Sequence, residues 1–250
     1  MKLARPCKAL ESTVYAFVQV RTDKSAIYPI VPDGTNILFF SSCRESFGGT
    51  QSKILEIPLT IPDSEYFGIW FYPGAMRRFF NIDLSEASDT IFELDFLEAP
   101  VLRNLHERIY DEVSFENRIS LCERLLTKTQ SNAGFIAYLD HALSQIYQSG
   151  GNISVEKLAD RVGCSSRHLN RIFQLHIGAS IKAFSQMVRM NSFLNNKYRY
   201  GTCSSFPALP GQCDSGFFDQ SHLIRSFKKQ GLQSLSPFVQ EFMSDFYNSK

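Results

Sequence analysis

Two short polar stripes in this chain carry the residue types that read double-stranded DNA. In GFFDQSHLIRSFKK, residues 216–229, Ser221, Arg225 and Lys228 recur at i, i+4 and i+7. That spacing stacks them on one face of a helix, while Leu223 and Phe227, four apart, mark another. Asp219 stands where its carboxylate can accept a hydrogen bond from a backbone N–H of the first turn. The segment SSRHLNRIFQ, residues 165–174, aligns on residues 219–228 without gaps. His168 matches His222, Leu169 matches Leu223, Arg171 matches Arg225 and Phe173 matches Phe227. The outward stripe of this first copy is Arg167, Arg171 and Gln174, flanked by Asn170.

An arginine donates two parallel hydrogen bonds to guanine O6 and N7, and asparagine or glutamine pairs in the same way with adenine. The candidate base readers are Arg167, Asn170 and Arg171 in the first copy, and Gln220, Ser221, His222 and Arg225 in the second. Lys182, Lys228 and Lys229 are the candidate phosphate contacts, which set affinity and salt dependence rather than sequence preference. An ordinary amphipathic surface helix shows the same pattern; an ion pair within the domain is the alternative for Arg171 and Arg225, and a helix-packing or surface histidine is the alternative for His168 and His222. The duplication favours two docking events of one design.

Each reading helix needs a scaffold helix in front of it. For the first, Ser154 is a good N-cap, and Val155, Leu158, Ala159 and Val162 fall at i, i+3, i+4 and i+7. Gly163 ends that helix, so the order is helix, glycine turn, helix. A connecting helix is expected over residues 180–195, with Ile181, Phe184, Val188 and Leu194 buried. Its length is about 24 Å at ~1.5 Å per residue. With the widths of the flanking motifs it spans the ~34 Å between successive major grooves. Before the second reading helix, Pro207, Pro210, Gly211 and Gln212 interrupt the apolar pattern of a scaffold helix.

ISVEKLADRVGCSSRHLNRIF resembles the first helix-turn-helix of the AraC/XylS family of bacterial transcription regulators, and GFFDQSHLIRSFKK resembles that family's second recognition helix. The resemblance runs over residues 152–242. It implies two helix-turn-helix units joined by one helix on one face of duplex DNA. Gly231 falls one residue early against the family pattern, and the Ser236-Pro237 pair comes late. With the interrupted scaffold, this leads us to expect a smaller contribution from the second motif than from the first.

The charge distribution divides the chain in the same place. Residues 1–150 hold 14 Lys and Arg against 19 Asp and Glu, a net of −5, whereas residues 151–250 hold 12 against 6, a net of +6. A basic half beside an acidic one fits a DNA-binding module attached to something else. Residues 12–95 are strand-like. STVYAFVQVRT, TNILFFSS, SKILEIPLTI and YFGIWFYP are β-branched and aromatic, with VPDG, FGG, IPDS and PGA between them. A small barrel or sandwich is expected. Trp70 and Tyr72 would face one side, and Ile69 and Phe71 the other, which requires burial on both faces or a pocket on one.

Helical periodicity takes over in FLEAPVLRNLHERIYDEV, SFENRISLCERLLTK and AGFIAYLDHALSQIYQ, the last with Phe135, Leu139, Leu143 and Ile146 on one face. QSGGN, residues 148–152, marks the boundary between an N-terminal domain over 1–148 and a DNA-binding domain over 152–242. The fold class is α+β. PDG and FGIWFYPGAMRRFF also resemble the N-terminal domain of one subgroup of AraC-type regulators, in which this half senses a signal or mediates dimerisation.

Other chemistries find little support. Ser221 and His222 are adjacent on a helix and point apart, so they make no nucleophile–base pair. Asp140-His141 and His106-Glu107 lack a second histidine at ligand spacing, and FGGT is not a phosphate-cradling loop. The cysteines Cys7, Cys43, Cys122, Cys164, Cys203 and Cys213 form no C-x-x-C or zinc-finger spacing and read as reduced thiols. No apolar run reaches the ~20 residues of a membrane span. The expectation is therefore a cytoplasmic, non-enzymatic regulator without cofactor or metal. Its partners are double-stranded DNA and a small-molecule effector, a second copy of the chain, or both. The competing reading is a degenerate regulator that acts as a protein-interaction module.

Overall fold

A computed structural model describes residues 1–23, 25–42, 44–59, 64–131 and 136–199. Its N-terminal region is mainly β and is followed, among the described residues, by six α-helices. The strands are β1 (Lys2–Ala4), β2 (Val14–Thr22), β3 (Ala26–Ile30), β4 (Asn36–Ser41), β5 (Arg44–Gly48), β6 (Leu55–Leu59), β7 (Ser64–Phe71) and β8 (Ile91–Glu93). Six of them form one antiparallel sheet in the order β1-β2-β7-β4-β5-β8, and β3 pairs with β6 in a second.

The aromatic strand β7 is central, between β2 and β4, so its aromatic residues are buried on both faces. Successive side chains on a strand alternate between faces, and the two cores follow that alternation. Phe17, Leu38, Phe67, Ile69 and Phe71 point into the core covered by the helices. Val18, Ile37, Tyr66 and Trp70 point into the core shared with Tyr28 and Leu59 of the small sheet. Trp70 is buried opposite Ile69 and Phe71 as the alternation predicts, and Tyr72 at the strand end is exposed.

The first helical stretch is shorter than its periodicity predicts. Residues 94–97 and 100–102 form single 3-10 turns, and α1 covers only Leu105–Asp111. Glu98 and Asn104 adopt positive φ, and Pro100 has no N–H to give a helical ladder, so regular helix starts only beyond them. The next two agree more closely. Helix α2 (Phe115–Thr129) starts where Ser114 accepts from the Asn117 N–H, and α3 (Ala137–Gln148) buries Leu139, Leu143 and Ile146. Phe135 lies outside the described residues. Arg118 of α2 anchors the helices to the sheet. Its Nη1 meets Glu65 at 2.8 Å while its Nε donates to the carbonyls of Ile109 and Glu112.

The remaining helices are α4 (Val155–Val162), α5 (Ser166–Ile177) and α6 (Ile181–Arg199). Leu139, Leu143 and Ile146 of α3 share one buried cluster with Leu158, Leu169, Phe173 and Phe184 of these helices. The cluster sits directly on the β region. Thr50 and Ser88 donate their hydroxyls to the carbonyls of Ile177 and Gly178, at the end of α5 where the helix has no partners of its own to offer. Among the described residues no helix is long and apolar enough to cross a membrane.

Candidate nucleic-acid interface

The helix-turn-helix expected over residues 154–174 forms as its local signals require. The Ser154 hydroxyl accepts from the Lys157 N–H at 3.3 Å and opens α4. Gly163 closes it at φ +74°, a left-handed conformation that a side chain resists. Ser165 then accepts from the His168 N–H at 3.2 Å and opens α5. A three-residue turn, 163–165, therefore separates two capped helices. Leu158, Ala159, Leu169, Ile172 and Phe173 are buried between them and their neighbours.

This packing fixes which side of α5 faces out. Arg167 and Arg171 lie one turn apart and are both exposed. Lys182, on the first turn of α6, is exposed as well. Among the described residues neither arginine makes an ion pair; the salt bridges there are Arg21–Glu65 and Arg118–Glu65. Arg171 thus does not form the internal ion pair with any described residue. Its neighbour is instead His168, whose Nδ1 lies 3.4 Å from Arg171 Nη2 and whose Nε2 lies 2.9 Å from the Tyr138 hydroxyl of α3. A neutral ring protonated on Nε2 satisfies both contacts, with Arg171 donating to Nδ1 and Nε2–H donating to Tyr138. His168 thus ties α5 to α3, a role that no spacing in the sequence signals.

Asn170 is half-buried and occupied. Its Oδ1 accepts from the backbone N–H of Ile181 at 3.1 Å, at the start of α6. A bidentate contact to adenine uses that oxygen and the amide nitrogen together, so the bond to Ile181 takes up one of the oxygen's two lone pairs and restrains the orientation of the amide. Gln174 is also half-buried. From residue 151 to 192 the chain holds 6 Lys and Arg against 2 Asp and Glu, so the unit is basic by itself. Gln220, Ser221, His222, Arg225, Lys228 and Lys229 lie outside the described residues, as do Pro207, Pro210, Gly211 and Gln212.

No group of three or more His, Cys, Asp or Glu suited to a metal ion occurs among the described residues. Cys7, Cys122 and Cys164 are free thiols, and burial pushes the Cys122 thiol up to about 12. That places it far from the thiolate form a nucleophile requires.

Residues 2–93 match a family model described as a domain of unknown function (DUF6597). That span takes in the eight described strands and stops before the first α-helix. No curated protein and no solved structure matches the chain.

Proposed function

We propose that this chain is a sequence-specific DNA-binding transcription regulator of the AraC/XylS type. In this reading α5 enters a major groove with Arg167 and Arg171 toward the base edges, while Lys182 holds a phosphate. The helix expected over residues 216–229 enters the next groove, with Gln220, Ser221, His222 and Arg225 as readers and Lys228 and Lys229 on phosphates. The N-terminal region, ending in the helices that pack on its sheet, senses an effector or mediates dimerisation.

The observation that carries the reading is the pair Arg167 and Arg171. Both are exposed, both lie on the outer face of the second helix of a capped helix-turn-helix, and neither has a carboxylate partner among the described residues. An unneutralised guanidinium pair on a rigid helix suits bidentate recognition of guanine.

The test is selection of the purified protein on a random duplex library across a salt series. A bipartite site with elements about one helical turn apart is expected. Arg171→Ala should relax preference at one or two positions and weaken binding by ~1–3 kcal/mol. Lys182→Ala should weaken all sequences alike and lower the salt slope by about 1. Arg225→Ala compared with Arg171→Ala ranks the two motifs, with the larger loss expected at Arg171. Weak, steeply salt-dependent binding with no enriched sequence sinks the proposal in favour of an interaction module.

A further inference from the structure

A cavity of about 200 Å³ opens between the six-stranded sheet and the β3–β6 pair. Ile30 and Ile57 form one wall, and Ile37, Phe39 and Tyr66 form the other. The Phe39 and Tyr66 rings stack with centroids 5.6 Å apart, which gives that wall a flat aromatic surface. Arg44 of β5 is the sole charged residue among the described lining residues. It is exposed, and it makes no ion pair among the described residues.

We propose that this cavity binds a small apolar monocarboxylic acid, its hydrocarbon body between the two sheets and its carboxylate on the Arg44 guanidinium. Each part of the ligand follows from a part of the wall. The aliphatic and aromatic side chains favour a hydrocarbon body, since burying apolar surface is the main favourable term open to them. The planar guanidinium matches a carboxylate in a two-bond fork. One cation supports one anionic group, because a second charge in the apolar part would be buried without a partner. A cationic ligand has no carboxylate to meet there, and a polyol would leave most of its hydroxyls facing isoleucines.

The proposal supplies the chemistry of the effector in the regulator reading, and to that extent rests on it. Its test is read on the protein without DNA, so the two fail separately. The chain has one tryptophan, Trp70, and it belongs to the same buried cluster as the lining residues Ile37 and Tyr66. Trp70 fluorescence should therefore report occupancy, with calorimetry as the second readout. The probes are butanoate, hexanoate, octanoate and benzoate, each beside its neutral amide.

At least one acid should bind saturably, and at least tenfold more tightly than its amide. Arg44→Gln should lose at least tenfold for the acid and leave the amide unchanged. Arg44→Lys, which keeps the charge without the fork, should fall between the parent and Arg44→Gln. Because Arg44 is exposed, both variants should melt with the parent protein. Equal affinity for acid and amide, an unaffected Arg44→Gln, or no saturable binding by any acid of the panel would each overturn the proposal.

Discussion

Asn191 of α6 donates its side-chain N–H to the carbonyl of Pro32, in the loop between β3 and β4, at 2.9 Å. The helix that leads out of the first helix-turn-helix is thereby bonded to the loop that joins a strand of the small sheet to one of the large sheet. Met190, the residue before it, is buried in the same cluster as Tyr28, Ile37 and Trp70. Phe184, earlier on α6, packs against Gly34 in the same loop.

These contacts predict that the β region and the helices α3–α6 unfold together. Gly34 sits at φ +80°, and a methyl group there would overlap the Phe184 ring. Gly34→Ala combines left-handed strain with overpacking and should cost about 2–4 kcal/mol. Asn191→Ala removes one hydrogen bond to a carbonyl and should cost about 1 kcal/mol. Urea unfolding followed by Trp70 fluorescence and by circular dichroism should give one shared transition in the parent protein. Two separate transitions in the parent, or a neutral Gly34→Ala, would show that the docking contributes nothing to stability.

A second prediction concerns pH. His176 of α5 is 3% exposed, and its Nδ1 has no hydrogen-bond partner among the described residues. Burial, assisted by the positive charge of Arg77 and opposed by Asp83, pushes its pKa from 6.5 down to about 4. The unfolded chain takes up a proton near pH 6.5, which the folded chain refuses until about pH 4. The stability tied to this neutral ring is therefore complete above pH 6.5 and is lost as pH falls toward 4, by up to about 3 kcal/mol. His176→Gln should flatten the pH dependence of the unfolding free energy within that window. A slope equal to that of the parent would mean that His176 is protonated in the folded chain.

Much of the helical half was legible because its signals are local. Ser154 and Gly163 act on backbone groups within a few residues, so type and position suffice to place both ends of α4. The burial of Leu158, Ala159, Phe184 and Val188 followed from period alone. The β region was legible where apolar runs stand between turn signals, as in β2, β4, β6 and β7. Strands β1 and β8 have three residues each, and β3 carries Pro29, so none gives a pattern above its surroundings.

The site residues divide in the same way. Exposure of Arg167 and Arg171 follows from the helix period. The Tyr138–His168 contact and the bond from Asn170 to α6 join helices whose relative placement the chain does not spell out locally. The Arg44 cavity brings together residues from β3, β4, β5, β6 and β7, a conjunction that exists only once both sheets have formed.

Asn170 and Arg171, adjacent in sequence, should separate cleanly on substitution. The Ile181 N–H is one of the orphan donors at the start of α6, and Asn170 supplies its acceptor from the preceding helix. Asn170→Ala should therefore lower stability by about 1 kcal/mol, in the range of a lost helix cap. Asn170→Asp keeps the acceptor and adds a negative charge near a helix N-terminus, so it should recover that stability. The same charge sits beside Arg171 and should weaken DNA binding. Arg171→Ala gives up only an exposed 3.4 Å contact to His168, so it should do the opposite of Asn170→Ala, changing unfolding little while reducing affinity and sequence preference. Unfolding curves and binding isotherms on the same four proteins decide the matter. A stable Asn170→Ala variant with altered base preference would return Asn170 to the base readers and leave Ile181 served by another group.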